Sequence, residues 1–333
     1  MTPDYKRKPR IGITLGDPAG VGPEVAVKAC VDPRVEKLCI PILIGELSLV
    51  QHYALQLAPG KTIQTIAEPD QASAGNEAIP LIDLKNARFS EISLGKIDKA
   101  CGKAALDYIR EGVDLARQGK IAAMVTGPIH KEAAHQAGMK APGHTEFLAS
   151  LCGVDEVRML LVVNHLRAMH LTTHLSLREA LAFVKTARIV ETIRYGAEAL
   201  KRLHTDRRRM AVAGLNPHAG EQGMFGREEM EEITPAIQIA RAEGFEVDGP
   251  IPPDTVFYRM QKHEFDLVIA LYHDQGHIPL KLIGFDTGVN ITIGLPIIRT
   301  SVDHGTAFDI AGKLEANPES MVKAIELACL MAS

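Results

Sequence analysis

Short apolar runs alternate with longer segments of helical periodicity along this chain. Brief apolar runs bounded by glycine, proline or polar residues are typical of buried strands. Such runs cover residues 11–15, 38–44, 121–126, 159–163, 167–173, 210–215 and 267–271. Helical spacing covers 100–118, 177–203 (one long helix or a pair), 228–243 and 319–331, and a further helix starts at Pro23. Strands that alternate with helices predict an α/β fold with a mainly parallel sheet.

Composition narrows the class of protein. At 333 residues, 46% of them hydrophobic, the chain can form two α/β lobes or one large domain. The net charge of −4 and a single dense basic cluster, 207–209, argue against nucleic acid as a partner. The polar, basic first ten residues predict no secretory signal, and no apolar run reaches the ~18 residues of a membrane span. The scattered cysteines, none in CxxC spacing, favour a reducing cytoplasm.

Three histidines stand where apolar runs give way to polar residues. His174, His218 and His273 each follow a predicted strand. Ligands of parallel α/β sheets bind at the carboxyl ends of strands, and three imidazoles meeting there would make an open divalent-metal site. Taken singly, each would be read as a hydrogen-bonded surface or core histidine. His170 would lie ~13 Å from His174 along a strand, too far to share an ion, and is interpreted as a packing residue.

Other polar clusters leave two interpretations open. The glycine-rich turn 16–22 is either a tight strand-to-helix connection or a point of close ligand approach, and its spacing differs from the dinucleotide fingerprint. The sequence Gly143-His144-Thr145 either supplies groups for a phosphate or carboxylate or begins a capped helix at Thr145. Arg299, after an apolar stretch, is either a surface residue or an anion clamp.

Together these motifs resemble the 4-hydroxythreonine-4-phosphate dehydrogenase family, in the family's order and over nearly the entire chain. The matching segments are Gly16-Asp17-Pro18-Ala19-Gly20, Thr126-Gly127-Pro128, Gly143-His144-Thr145-Glu146, Thr173-His174, 216–221, Tyr272-His273-Asp274-Gln275-Gly276, Gly288-Val289-Asn290 and 299–307.

The resemblance implies an architecture. The family is similar in fold to isocitrate and isopropylmalate dehydrogenases, which have two lobes of αβα layers with the active site in the cleft between them. The resemblance therefore implies one discontinuous lobe, 1–128 plus 290–333, that carries a nucleotide-binding loop. A middle lobe, 129–289, is expected to carry the metal ligands and the contacts of a homodimer.

The resemblance also implies site residues and cofactors. A divalent metal (zinc, magnesium or cobalt) matches His174, His218 and His273, with one histidine supplied by the partner subunit. The matching substrate positions are His144, Thr145, Lys281, Asn290 and Arg299. NAD is the expected cofactor, and its adenosine end matches a loop that includes His304, Gly305, Ala307, Asp309 and Asn317.

His277 and the segment 252–257 are similar to a second branch of the family, associated with D-threonate or D-erythronate 4-phosphate. The implied reaction oxidises the C3 hydroxyl of a 4-phosphorylated four-carbon acid and then decarboxylates the 3-keto product. The alternative substrate is 4-phospho-hydroxythreonine, the precursor in pyridoxal phosphate synthesis. Asp254 and Asp274 are candidates for the base, and Asp274 fits a role behind a metal ligand equally well. Rival classes are a metal-dependent hydrolase or aldolase, a phosphate acyltransferase and a binding protein without turnover.

Overall fold

The computed structural model describes residues 8–73, 75 and 77–333. The strands are β1 (Arg10–Thr14), β2 (Ile40–Gly45), β3 (Thr62–Thr65), β4 (Ala78–Asp83), β5 (Ala123–Thr126), β6 (Arg158–Val163), β7 (Leu166–His170), β8 (Met210–Ala213), β9 (Val247–Ile251), β10 (Leu267–Ala270), β11 (Val289–Ile293) and β12 (Arg299–Val302). The helices are α1 (Gly22–Cys30), α2 (Pro33–Leu38), α3 (Leu47–Leu57), α4 (Lys99–Arg117), α5 (Lys131–Gln136), α6 (His144–Cys152), α7 (Leu177–Ala182), α8 (Thr186–Arg202), α9 (Thr234–Ala242), α10 (Pro253–Gln261), α11 (His273–Gly284) and α12 (Glu319–Met331). The predicted α/β class is confirmed.

The chain forms two compact units. The first comprises the described residues up to Val157 together with Leu295–Ser333, and the second comprises Arg158–Gly294. The discontinuous organisation resembles the expected one, but its boundaries fall at 157/158 and 294/295 instead of 128/129 and 289/290. As a result α5 and α6, with His144 and Thr145, belong to the first unit.

The first unit contains parallel strands in the order β3-β4-β2-β1-β5-β12. Because all of them run the same way, the segments after β1, β5 and β12 leave the sheet at one edge. Those segments carry the turn 16–22, the Thr126-Gly127-Pro128 motif and the loop that starts at Asp303. This placement gathers most of the first unit's motifs at the carboxyl edge of its sheet.

The second unit contains strands in the order β11-β6-β7-β10-β8-β9. Strands β6 and β7 form an antiparallel hairpin, as predicted, with Leu160 opposite Met169 and a turn at Asn164 (φ 54°). Strands β7, β10, β8 and β9 are mutually parallel. The buried side chains of Val268, Val256 and Leu280 belong to one apolar core that joins this sheet to α10 and α11.

Several predicted elements differ in extent from the observed ones. The segment 177–203 is a pair of helices, because α7 ends before Phe183 and α8 begins at Thr186. Strand β7 ends at His170 instead of Thr173, and α6 begins at His144 instead of Thr145. None of the helices in the described part of the chain has the length and apolar character needed to cross a membrane. The prediction about the N-terminus concerns residues 1–7 in part, and these lie outside the described residues.

Candidate functional site

The three histidines follow neighbouring parallel strands of the second unit. His174 comes four residues after β7, His273 three residues after β10 and His218 five residues after β8. Since β10 lies between β7 and β8, all three segments leave the sheet at the same edge. The structure therefore shows the placement expected from the sequence. One detail differs: His273 is the first residue of α11 instead of part of a loop.

His174 and His273 lie side by side. Their ring centroids are 6.1 Å apart, and both line a cavity of about 310 Å³ with Thr173, Tyr272 and Asp274. Two imidazoles on one zinc ion have centroids roughly 5 to 6 Å apart, because each Zn–N bond is ~2.1 Å. The pair therefore has the chemistry and approximately the spacing of two ligands of one divalent ion.

His218 occupies a different setting. It lies in a tight turn, Pro217–Gly223, in which His218, Ala219, Glu221 and Gln222 all have left-handed φ angles of 42–56°. The ring of His218 is exposed and its centroid lies 6.0 Å from that of Phe225. Within the described part of a single chain, no three His, Cys, Asp or Glu side chains are grouped as a metal site. The fold of one chain thus brings together two of the three predicted ligands.

A buried carboxylate holds the segment that precedes His218. Glu229, 2% exposed, accepts hydrogen bonds from the backbone N–H groups of Leu215 (2.8 Å) and Asn216 (2.7 Å) through Oε1. Its Oε2 accepts a third bond from Asn216 Nδ2 at 2.9 Å. Left-handed φ angles cost free energy for residues other than glycine, so this turn needs such anchoring. The sequence pattern gave no sign of Glu229, because its role depends on contacts 13 and 14 positions away.

The ring of His273 is held on two sides. Its Nδ1 lies 2.6 Å from Asp274 Oδ1, and its face stacks on His277 with centroids 3.8 Å apart and planes 9° apart. His277 Nδ1 lies 3.0 Å from Nε2 of His170, which is 1% exposed. Burial, and next the nearby His277, lower the pKa of His170 to about 3, so this ring is neutral. His170 is buried as predicted, but it also joins a histidine cluster that periodicity did not reveal.

The remaining predicted residues of the second unit lie on different elements. Asp254 is exposed in the first turn of α10. Lys281 lies on α11 with its Nζ 5.4 Å from the centre of the Phe285 ring. Asn290 lies in β11, and its Oδ1 is buried without a hydrogen-bond partner. A buried acceptor without a partner is costly and is typical of a position that a ligand completes.

The first unit contains three of the predicted substrate-binding residues: a buried arginine and two residues at the start of α6. Arg299, 2% exposed, donates from Nε and Nη2 to Thr126 Oγ1 at 3.2 and 2.7 Å. His144 and Thr145 form the first turn of α6, and His144 Nε2 is buried without a partner. Helix N-termini and guanidinium groups both favour anions.

The pKa values of Arg299 and His144 are strongly shifted. Burial lowers the pKa of Arg299 to about 9, and Glu146 partly offsets that effect, so the guanidinium remains a cation at neutral pH. Burial, and next the charge of Arg299, hold the pKa of His144 well below its usual range. A buried cation beside a neutral imidazole is an environment that an anionic ligand would stabilise. The observed burial of Arg299 favours the anion-clamp interpretation over a surface residue.

The predicted nucleotide loop packs against the glycine-rich turn. Val21 donates its backbone N–H to Thr306 O at 3.0 Å, and a Cβ on Gly20 would lie 2.8 Å from that oxygen. His304 contacts Gly305 O through Nδ1, while its Nε2 is buried without a partner; Ala307 has a left-handed φ of 41°. Asp309 is exposed, and Asn317 Oδ1 accepts the Glu319 N–H at the start of α12.

The turn itself is filled by protein atoms. A Cβ on Gly16 would lie 2.3 Å from Pro128 O, and one on Gly22 would lie 2.1 Å from Leu15 O. Asp17 is fully buried within it and accepts the Ala19 N–H at 2.9 Å through Oδ1. The glycines at these positions are required by the packing of the loops, which supports the tight-turn interpretation.

Known proteins are similar to this chain in sequence and in fold. The model of the family described as "Pyridoxal phosphate biosynthetic protein PdxA" matches residues 37–328. The chain belongs to this family. It is 45% identical over 326 residues to the D-threonate 4-phosphate dehydrogenase of Cupriavidus necator, covering 98% of each chain. It is 44% identical over 328 residues to a 4-hydroxythreonine-4-phosphate dehydrogenase of Desulforapulum autotrophicum, covering 98% of this chain and 96% of that one.

A solved structure agrees with these sequence matches. The 4-hydroxythreonine-4-phosphate dehydrogenase from Klebsiella pneumoniae superposes with a TM-score of 0.88 at 43% identity, over 98% of this chain and 100% of that one. The family resemblance and the dehydrogenase class predicted from the motifs are confirmed. Both enzyme names specify a phosphorylated small molecule as substrate.

Proposed function

We propose that this chain catalyses the NAD-dependent oxidation of the C3 hydroxyl of a 4-phosphorylated four-carbon acid, followed by decarboxylation of the 3-keto product. D-Threonate or D-erythronate 4-phosphate is the favoured substrate. The observation that carries the proposal is the pairing of His174 and His273 at the carboxyl edge of the sheet, in a chain 45% identical to a D-threonate 4-phosphate dehydrogenase. His277, which is similar to a feature of that branch, stacks directly on His273.

The proposed metal ligands are His174, His218 and His273. A divalent cation held there, zinc, magnesium or cobalt, would act as a Lewis acid on the oxygen at C3. Asp274 accepts a hydrogen bond from His273 Nδ1, which directs Nε2 of that ring away from it, toward a ligand. This contact favours an orienting role for Asp274 and leaves Asp254 as the better candidate for the base that takes the C3 hydroxyl proton.

Anionic parts of the substrate need cationic and hydrogen-bonding partners. We assign the phosphate to His144 and Thr145, and an anionic group to Arg299, whose buried guanidinium supports that role. Lys281 and Asn290 keep the substrate-binding roles implied by the family motifs. NAD is assigned to the loop that begins at His304, with weaker support for Asn317, since its Oδ1 already accepts the backbone N–H of Glu319.

We also propose that a second copy of the chain completes the metal site. Large apolar side chains are exposed next to each of the three histidines in sequence. They are Leu175, Leu177, Leu181 and Phe183 after His174, Met224 and Phe225 after His218, and Ile278, Leu282, Ile283 and Phe285 after His273. One chain brings together two of the three ligands, so a partner that covers these apolar side chains and supplies the third histidine would explain both observations.

A substrate panel tests the proposal. Purified protein with NAD and zinc or magnesium is mixed with D-threonate 4-phosphate, D-erythronate 4-phosphate or 4-phospho-hydroxythreonine, and absorbance at 340 nm is followed. NADH and an equal amount of carbon dioxide are expected with one or both sugar-acid phosphates. NADH with 4-phospho-hydroxythreonine alone would favour the vitamin-pathway alternative. No NADH with any of the three would defeat the dehydrogenase proposal.

A further inference from the structure

His170 and His277 lie beside His273, and neither ring has an assigned metal or substrate role. His277, 6% exposed, is stacked on His273 and bonded to His170. Gly276, inside α11, explains how His170 comes so close: a Cβ at that position would lie 2.4 Å from His170 Nε2. Glycine inside a helix costs about 1 kcal/mol relative to alanine, so its presence here fits a requirement for the His170–His277 contact.

The acceptors around the two rings fix their protonation. His277 Nδ1 lies 3.2 Å from the carbonyl oxygen of His273, which can only accept, so His277 carries its hydrogen on Nδ1. With the hydrogen there, it points to His170 Nε2 at 3.0 Å, and that nitrogen is the acceptor. His170 therefore carries its own hydrogen on Nδ1, which faces Met159 O at 3.4 Å.

We propose that His277 and His170 are positioning residues for His273: a hydrogen-bonded imidazole pair on which the ring of His273 rests. The inference depends on the proposed metal role of His273. Asp274 fixes Nδ1 of that ring, but one hydrogen bond leaves rotation about its own axis open. The flat face of His277, 9° from parallel, removes that freedom, and His170 in turn fixes His277. A ligand held in its binding orientation loses less entropy when the ion arrives.

Metal affinity of the full-length protein measures this role without substrate. Metal-free protein is titrated with Zn²⁺ against a competing chelator for the unmodified chain, His277→Leu, His277→Phe and His170→Leu. We expect His277→Leu to weaken zinc binding roughly 10- to 100-fold, the usual effect of losing a group behind a metal ligand. His277→Phe keeps a flat ring and should lose less, because only the bond to His170 is gone. His170→Leu should resemble His277→Phe.

His165→Leu is the matched control. His165 and His263 form another stacked histidine pair of the second unit, 4.4 Å between centroids, exposed and on other elements. Its loss should leave zinc affinity unchanged. Unchanged affinity in His277→Leu and His170→Leu would overturn the positioning role while leaving the proposed function intact. Absence of zinc binding by the unmodified protein would overturn both.

The tautomers provide a second test that needs no variant to bind metal. With ¹⁵N-labelled histidine, long-range ¹H–¹⁵N correlation spectra of the metal-free protein distinguish Nδ1–H from Nε2–H rings, and the two variants assign the signals by their loss. Both His170 and His277 are expected as Nδ1–H rings. An Nε2–H ring at either position would contradict the hydrogen-bond directions on which the proposal rests.

Discussion

The carboxyl group of Asp17 is buried in the turn 16–22, where an ionised carboxylate is poorly solvated. Burial raises its pKa to about 6, against the opposing effects of the Ala19 N–H and the nearby His130. Its Oδ2 is buried without a hydrogen-bond partner. The folded chain therefore holds a proton on Asp17 at pH values where the unfolded chain, with an ordinary pKa of 3.8, has released it.

This difference predicts a pH-dependent stability. Since the folded state binds the proton more tightly, the contribution of Asp17 to stability falls as pH rises from about 4 through about 6. The shift corresponds to at most about 3 kcal/mol. Asp17→Asn removes the ionisation, so the variant should lose less stability than the unmodified protein between pH 4.5 and 7.5 in urea unfolding. The same pH dependence in both proteins would show that Asp17 is not a buried ionising group.

Arg299 provides a residue-scale prediction for binding. Arg299→Lys keeps a positive charge but loses the planar fork that can hold a phosphate or carboxylate with two parallel bonds. We expect KM for the four-carbon acid phosphate to rise roughly 10- to 100-fold, as the loss of a charge-assisted hydrogen bond implies. Steady-state kinetics measure this, with Arg110→Lys on the exposed surface of α4 as control. An unchanged KM would remove Arg299 from the binding site.

Sequence alone identified residues whose position follows from local pattern. His174, His218 and His273 were found because each comes after an apolar run. Their supporting residues were not found, because the contacts join distant positions: His170 and His277 are 107 residues apart. Neither periodicity nor motif spacing indicates a contact between residues so far apart in sequence.

Two elements that carry the site had weak sequence signals. Helix α11 contains Gly276 and Pro279, which lower helix propensity, so the sequence pattern does not predict a helix there. The turn 217–223 uses left-handed φ angles at ordinary residues, and no sequence rule predicts that conformation for them. Both depend on tertiary contacts: the turn on Glu229, the helix on packing against β6 and β7.

The turn gives an element-scale prediction. In Glu229→Gln, one amide oxygen can still accept the two backbone N–H groups, but the new NH₂ group faces the NH₂ of Asn216. We expect about 1–3 kcal/mol lower stability in urea unfolding, the cost of a buried polar group left without a partner. Zinc affinity should also fall, because His218 is then less well held. Glu231→Gln, an exposed partner of Arg227, is the control. Equal stability of both variants would show that Glu229 does not anchor the turn.

At the scale of the whole molecule, the alternation of strand and helix patterns predicts the α/β class. It does not predict the boundaries of the two units. The chain passes from one unit to the other directly before β6 and one residue after the end of β11. The first crossing has no glycine-, serine- or proline-rich segment, and the second has only Gly294 and Pro296 in an apolar stretch, so composition did not mark either as a linker.

The exposed apolar side chains near the histidines predict how two copies of the molecule assemble. Leu282, 86% exposed on α11, should become buried against a second copy. Leu282→Glu would place a charge in that interface and is expected to shift the mass measured by light scattering from dimer toward monomer. Leu55→Glu, at an equally exposed leucine (83%) of the first unit, should stay dimeric. A monomeric unmodified protein, or equal behaviour of both variants, would contradict the proposed interface.

The central claim is that imidazoles from three separate strand ends bind one divalent ion. Metal content per chain, measured by mass spectrometry after zinc loading and removal of free zinc, tests it directly. One ion per chain is predicted for the unmodified protein and for His165→Ala. His174→Ala, His218→Ala and His273→Ala should each retain well under one. A full equivalent of zinc in any of these three variants would contradict the claim.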